Sequence, residues 1–403
     1  MTEIAIDYKT LSLSQQVLER QQGHAQKIAT YLPANADIGD STGVLLSMFD
    51  PLSRVAVDLG SQAATALAGI ETATAASVGD TAVDLADSDG KVGDAFSKLI
   101  ARLGGPGGTA SSPYPDLGGP TLGAASGGAE DGYGGVEGNL ITKAYATGEN
   151  LGNSINDAQS LIDSLGQWGS GGTVTEVSDA SSYLVPGQSP ENFVQDLRWS
   201  AGALLGSIDW VAEKFIGFSI LDRCVFHPLA GDWEGIYRCS EAWSHAGDAA
   251  NAIAHNHAGL VAQTPDTWKG LSGNSFRVAM TTMTEACIGL STVYGTASGY
   301  VKTISTACKL ACAGIGAGLQ FIANKLIKLA AEAATPVIGW AIGAATAYGD
   351  IQDVINKVRL IYTIIETIAS AIQDFAEAKT GIMDKLAILE DLLQGATSSA
   401  ANA

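Results

Sequence analysis

Apolar positions recur at helical spacing along most of this chain. Leu13, Val17, Leu18, Ala25, Ile28, Ala29 and Leu32 mark one helix face, and Ser12-x-x-Gln15 ahead of them fits a capping box. The stretch Pro33 to Asp37 breaks the pattern. A second run carries Leu52, Val55, Leu59, Ala63, Ala66, Leu67 and Ile70 toward Leu85, and a short third run ends at Leu103. Helical spacing returns over 140–165 and again from Phe193 to Phe215. It then dominates two long runs. One holds Ile236, Cys239, Trp243, Ala246, Ala250, Ile253 and Leu260, with Asp232 placed to cap it and a stop near Thr264-Pro265. The other holds Phe276, Ala279, Met283, Ala286, Leu290, Ala297, Val301 and Ile304, with Ser272 as its natural cap. Pro336 restarts a helical pattern that continues to about Leu393. No segment reads as a convincing strand; the alternation over Thr173 to Val177 is the nearest candidate.

Between these runs the chain changes in kind. Residues 104–139 are rich in Gly, Pro and Ser, a composition that predicts a flexible linker with no packed core. A second irregular stretch, 166–190, contains Gly169 to Gly172 and Pro186. The resulting division is a helical module over 1–103, the linker 104–139, a helix plus irregular segment over 140–191, a helical domain over 192–394 and a frayed tail over 395–403. The fold class predicted is all-α: long antiparallel helical hairpins or bundles joined by a Gly/Pro-rich disordered linker.

Composition sharpens this picture. Of 403 residues 46% are apolar, enough for a sizeable core, and much of that fraction is alanine. Alanine favours helix and lets helices approach closely. The net charge of −20 opposes binding to nucleic acid, which needs cations to displace phosphate counterions, and opposes attachment to an anionic lipid surface. Residues 1–30 include Lys9, Glu19 and Arg20 and lack the apolar core of a signal peptide. That predicts a chain that stays in the cytosol, or is exported by a route that reads no such peptide. The apolar stretches Leu310 to Ala323 and Ala333 to Gly349 fall short of the roughly 18–20 residues that cross a bilayer. They read as buried helices.

The chain lacks a sequence constellation for catalysis. Of its five histidines, His255 and His257 point about 200° apart on a helix and do not converge on one metal. His245 and Asp248 lie one turn apart and read as a solvated helix face. Cys308 and Cys312 share a helix face and read as small apolar fillers of a helix interface. Cys224 and Cys239 flank a short loop and form a disulfide candidate if the protein leaves the cell. No phosphate loop, nucleophile elbow or paired Cys/His framework is present, so the reading is non-enzymatic, without metal or cofactor.

The most informative local feature is Asp266-Thr-Trp-Lys-Gly-Leu-Ser-Gly-Asn-Ser-Phe276, set between the two longest periodic runs. Two antiparallel helices need a sharp reversal, and Gly270 accepts backbone angles other residues avoid. Trp268 is placed to fold over the end of the reversal with Phe276 as its neighbour. Trp233-Glu-Gly235 repeats the tripeptide but reads as a simple helix start.

This arrangement resembles the WxG superfamily of helical-hairpin proteins of type VII (ESX) secretion, over residues 190–305 and more loosely over 10–103. The resemblance implies a helical secretion partner or self-pairing into a homo-oligomer, contact with the type VII machinery, and Trp268, Gly270 and Phe276 as the turn motif. It also implies an export signal of the form Tyr-x-x-x-Asp/Glu at the end of a second helix. Leu85 to Asp89 occupies that place with leucine where the family has tyrosine, and Tyr145 to Glu149 supplies a complete match; Tyr133 to Glu137 and Tyr237 to Glu241 also fit the spacing. Three function classes follow. The first is a secreted type VII substrate or component. The second is a membrane-active protein that inserts 310–349 after oligomerisation. The third is an intracellular chaperone or adaptor for such substrates. Two hairpins in one chain further predict a fused pseudo-dimer, each hiding the other's apolar face.

Overall fold

The computed structural model describes residues 6–39, 50–87, 119–131, 133–134, 160–164, 173–188 and 232–333, with isolated positions 356 and 363. This portion is 79% helical with almost no strand, so the protein is all-α there. Four helices dominate: α1 (Tyr8–Asn35), α2 (Asp50–Asp87), α3 (Trp233–Gln263) and α4 (Leu271–Ala333). Among the described residues no helix is long and apolar enough to cross a membrane, α4 with its 310–323 stretch included.

Side-chain chemistry sets the helix ends. Asp232 caps α3 by accepting the Gly235 N–H at 2.9 Å, as its position predicts. At α1 the cap is Asp7, which accepts from Lys9 N at 3.0 Å. Ser12 therefore lies inside the helix, and the expected capping box does not form. Likewise α4 already begins at Leu271, so Ser272 is not its cap.

Pro33 does not end α1, which runs through it to Asn35. A proline lacks the N–H that would bond the carbonyl four residues back. That carbonyl is Ala29 O, and Ser61 Oγ of α2 donates to it at 2.7 Å. The defect in one helix thus becomes a tie to its neighbour.

Contacts between α3 and α4 run in opposite directions: His257 meets Cys287, Trp243 meets Tyr294, and Ser305 Oγ donates to Trp233 O at 2.8 Å. The α1–α2 pair behaves the same way, with Ser61 against Ala29 and Ser53 Oγ accepting the Ile38 N–H. One hydrophobic core joins both pairs. It includes Ile28 and Leu32 of α1, Ala64 and Ala68 of α2, Trp243 and Ile253 of α3, and Tyr294 and Val301 of α4.

Closeness comes from small residues. Gly60 faces the Trp243 ring, where an added Cβ would sit 3.0 Å from two ring atoms, and its carbonyl accepts the Tyr294 hydroxyl at 2.7 Å. This rotates the buried face of α2 away from the one its larger apolar residues predict. Val57, Ala64, Leu67, Ala68 and Ala75 point inward, whereas Val55 and Ala66 are exposed. The face that carries Gly60 turns inward because a wide side chain at that position would hold α2 off the Trp243 ring.

The Gly-rich region departs most from expectation. Residues 119–131 and 133–134, inside the expected linker, are packed on the helices, as is 173–188. Gly127–Gly128 and Ser178–Asp179 form a two-residue parallel ladder, followed by a 3-10 turn at Ala180–Tyr183. The strand thus begins just after the alternation Thr173 to Val177. Leu122 and Val174 reach the core. A segment poor in apolar residues is ordered here because its backbone N–H and C=O groups are bonded by helix side chains.

Candidate functional site at the Trp268 reversal

Seven residues join α3 to α4, and their geometry follows from three local devices. Thr264 O accepts the N–H groups of Thr267 and Trp268, winding one more turn past α3. Gly270 then takes φ of 106°, left-handed backbone that an L side chain resists. Gly273 packs on the turn so closely that a Cβ would lie 2.2 Å from Trp268 O. The last constraint is invisible without the fold, since Gly273 otherwise reads as a poor helix residue.

Trp268 is fully buried. Its ring stacks on Phe276 with centroids 4.6 Å apart, and Nε1 donates to Ser272 Oγ at 3.1 Å. Arg277 donates to Trp268 O at 3.0 Å. The chain's beginning closes the site: Ile6 bridges Trp268 in antiparallel fashion and Asp7 N donates to Thr267 O at 2.8 Å. Ile6, Leu11, Leu18, Val78 and Met283 belong to the same apolar cluster as Trp268 and Phe276. The turn motif is therefore held from both helix pairs. Its outer side shows Leu271 and Val278, seven apart on α4 and both well exposed. Trp233, in contrast, starts α3, with Lys309 over its ring.

Of the export-signal candidates, Leu85 lies near the end of α2. Asp89, Tyr145 and Glu149 lie outside the described residues, as do Glu137 and Cys224. Tyr133 is not a free tyrosine: its ring meets Tyr183 edge-on at 5.0 Å, and its hydroxyl donates to Asp248 Oδ2. Tyr237 lies under the Lys302 ammonium. Cys239 is a buried thiol donating to Asp37 O at 3.3 Å, and Cys224, its candidate disulfide partner, lies outside the described residues. Cys308 and Cys312 are fully buried in the core.

Two buried polar clusters were not legible as such. His245 and Asp248 are not on a solvated face; both are buried. His245 Nδ1 donates to Val185 O at 2.8 Å, and the Tyr31 hydroxyl donates to the same carbonyl at 2.6 Å. Burial raises the Asp248 carboxyl to about 6 against the opposing bond from Tyr133, and burial lowers the His245 imidazole. The second cluster joins three helices: Glu71 of α2, His257 of α3 and Cys287 of α4. Glu71 Oε1 and His257 Nε2 are 2.6 Å apart with both side chains fully buried, an ion-pair distance without hydrogen-bond alignment. Cys287 Sγ is 3.8 Å from His257 Nδ1. Carboxylate, imidazole and thiol stand in the order of a nucleophile relay. However, burial and the nearby Glu71 push the Cys287 thiol well above its ordinary range, so it is held protonated. The ring lies between sulfur and carboxylate, so the three do not converge on one metal position. Among the described residues no group of three or more His, Cys, Asp or Glu side chains is arranged to hold a metal ion.

No protein-family model, curated protein or solved structure matches this chain.

Proposed function

We propose that this chain is a non-enzymatic type VII (ESX) secretion substrate or secretion-associated protein that works through helix pairing or oligomerisation. The reading is carried by the Trp268 reversal, where an indole and a left-handed Gly270 join two long, oppositely directed helices. Two hairpins in one chain act as a built-in pair, and the core shared by α1, α2, α3 and α4 supports that arrangement. Linker 104–139 connects the hairpins while lending part of itself to their surface. The buried Glu71–His257–Cys287 set serves packing specificity, not chemistry, because its thiol is protonated and closed to solvent.

Export tests the proposal. In cells with and without a working type VII system, the parent is expected outside only when the system works. Trp268→Ala and Gly270→Val should lower the exported fraction more than Trp233→Ala does, with intracellular levels and helical circular dichroism as controls. Equal export of all three variants would remove the motif from the account. Retention inside the cell whether or not the system works would favour an intracellular chaperone or adaptor. Leakage from liposomes would favour membrane insertion through 310–349.

A further inference from the structure

Segment 173–188 crosses α1 and α3, extended over 173–179 before the 3-10 turn at Ala180–Tyr183, and helix side chains hold its backbone as a receptor holds a peptide. Asn256 Oδ1 accepts the N–H groups of Val177 and Ser178 at 2.8 and 2.9 Å, and its Nδ2 donates to Ser178 O at 2.8 Å. Gln263, seven residues along α3, accepts Thr175 N at 3.0 Å. Tyr31 and His245 hold the Val185 carbonyl at the far end. Such contacts read extended backbone without regard to sequence.

Side-chain pockets add the sequence. Glu176 is 1% exposed, and its carboxylate takes Arg20 at 2.6 Å, His24 at 3.0 Å and Gln21 at 3.1 Å. Burial alone would raise this carboxyl, but the three bonds outweigh it and hold the group below its ordinary range. Val174 and Ala180, 2% and 0% exposed, fill apolar sites on either side. Even spacing puts Val174 and Glu176 on one face of the extended stretch, and Ala180 opens the 3-10 turn that follows it.

We infer that the α1–α3 groove is a binding site for an extended acidic peptide, with an apolar residue two positions before a glutamate and a small residue four after it, and that its resident segment 173–185 exchanges with the same segment of a second copy. An emptied groove would cost Arg20, His24 and Gln21 their bonds to Glu176 and Asn256 its bonds to Val177 and Ser178, which is unfavourable for groups that stay buried. Replacement by an identical segment restores every bond, so exchange is the low-cost route to a dimer. The inference is independent of the secretion reading.

A labelled peptide of residues 173–185 tests it against the full-length chain. Glu176→Ala loosens the resident segment and should admit the peptide about tenfold more tightly than the parent does. The same peptide carrying Glu176→Lys should bind about tenfold more weakly. Light scattering of the parent refolded at rising concentration should show a growing dimer fraction. No binding to the folded variant, or equal binding of the lysine peptide, would overturn the site. A parent that stays monomeric throughout would overturn the exchange. If Glu176→Ala loses helical circular dichroism, Val174→Ala serves as the loosened chain with the same readouts.

Discussion

The Trp268 reversal and the segments laid over α1 and α3 solve opposite problems. The reversal buries a large ring against another ring, and its polar ties are mostly local, Nε1 to Ser272, N–H to Thr264 and Arg277 to Trp268 O, with the distant Asp7 N–H reaching Thr267 O. The overlaid segments bury little apolar mass and are tied by long-range hydrogen bonds, Glu176 to Arg20 across 156 positions being typical. The difference teaches where order comes from. Apolar burial is non-directional and tolerates small shifts, whereas the overlay depends on directed bonds to buried partners.

Substitutions at the two kinds of site should separate them. Trp268→Ala removes a fully buried ring and should cost about 3–5 kcal/mol in urea unfolding. A loss below about 1 kcal/mol would show that the ring is not the keystone of the turn. Glu71→Leu strands a buried imidazole and should cost about 3 kcal/mol, whereas Glu71→Leu with His257→Leu should return to within about 1 kcal/mol of the parent. If the double variant is as unstable as the single, the pair is not the source of the loss.

Asp248 sharpens the comparison because its sign is opposite. A carboxyl raised to about 6 binds its proton more tightly when folded, so its burial penalty is absent below the ordinary value of 3.8, grows between 3.8 and about 6, and is fully present above that. Asp248→Asn should therefore stabilise the protein by about 2 kcal/mol at pH 7.5, with the gain shrinking toward pH 4. Melting temperature against pH for parent and variant reads this directly, and a gain independent of pH would contradict it. The smallest effect is expected at Ser61→Ala, which frees Ala29 O and should cost about 1 kcal/mol.

Much of the helical core was legible in the chain. Leu13, Val17, Leu18, Ala25, Ile28 and Leu32 are buried as their spacing predicts, and so is every apolar position marked on α3 from Ile236 to Leu260. Asp232 and Gly270 announced themselves because capping and left-handed backbone depend only on near neighbours. What escaped was non-local. The inward face of α2 is decided by Trp243, which is distant in sequence. Glu71 and His257 meet only after three helices pack. Residues 119–131 and 133–134 carry no periodic signal because the groups that order them, Gln16, Arg20 and Asp248, belong to other elements. His245 and Asp248 were misplaced on a solvated face for the same reason: the segments that cover them carry no periodic signal.

The claim that the two helix pairs form one unit is tested most directly by native-state hydrogen exchange across a denaturant series. A shared core predicts that the central amides of α1 and α2 and those of α3 and α4 converge on one opening free energy and rise or fall together with Trp268→Ala. If α1 and α2 exchange at a much lower free energy and ignore that substitution, the pairs fold as separate bodies.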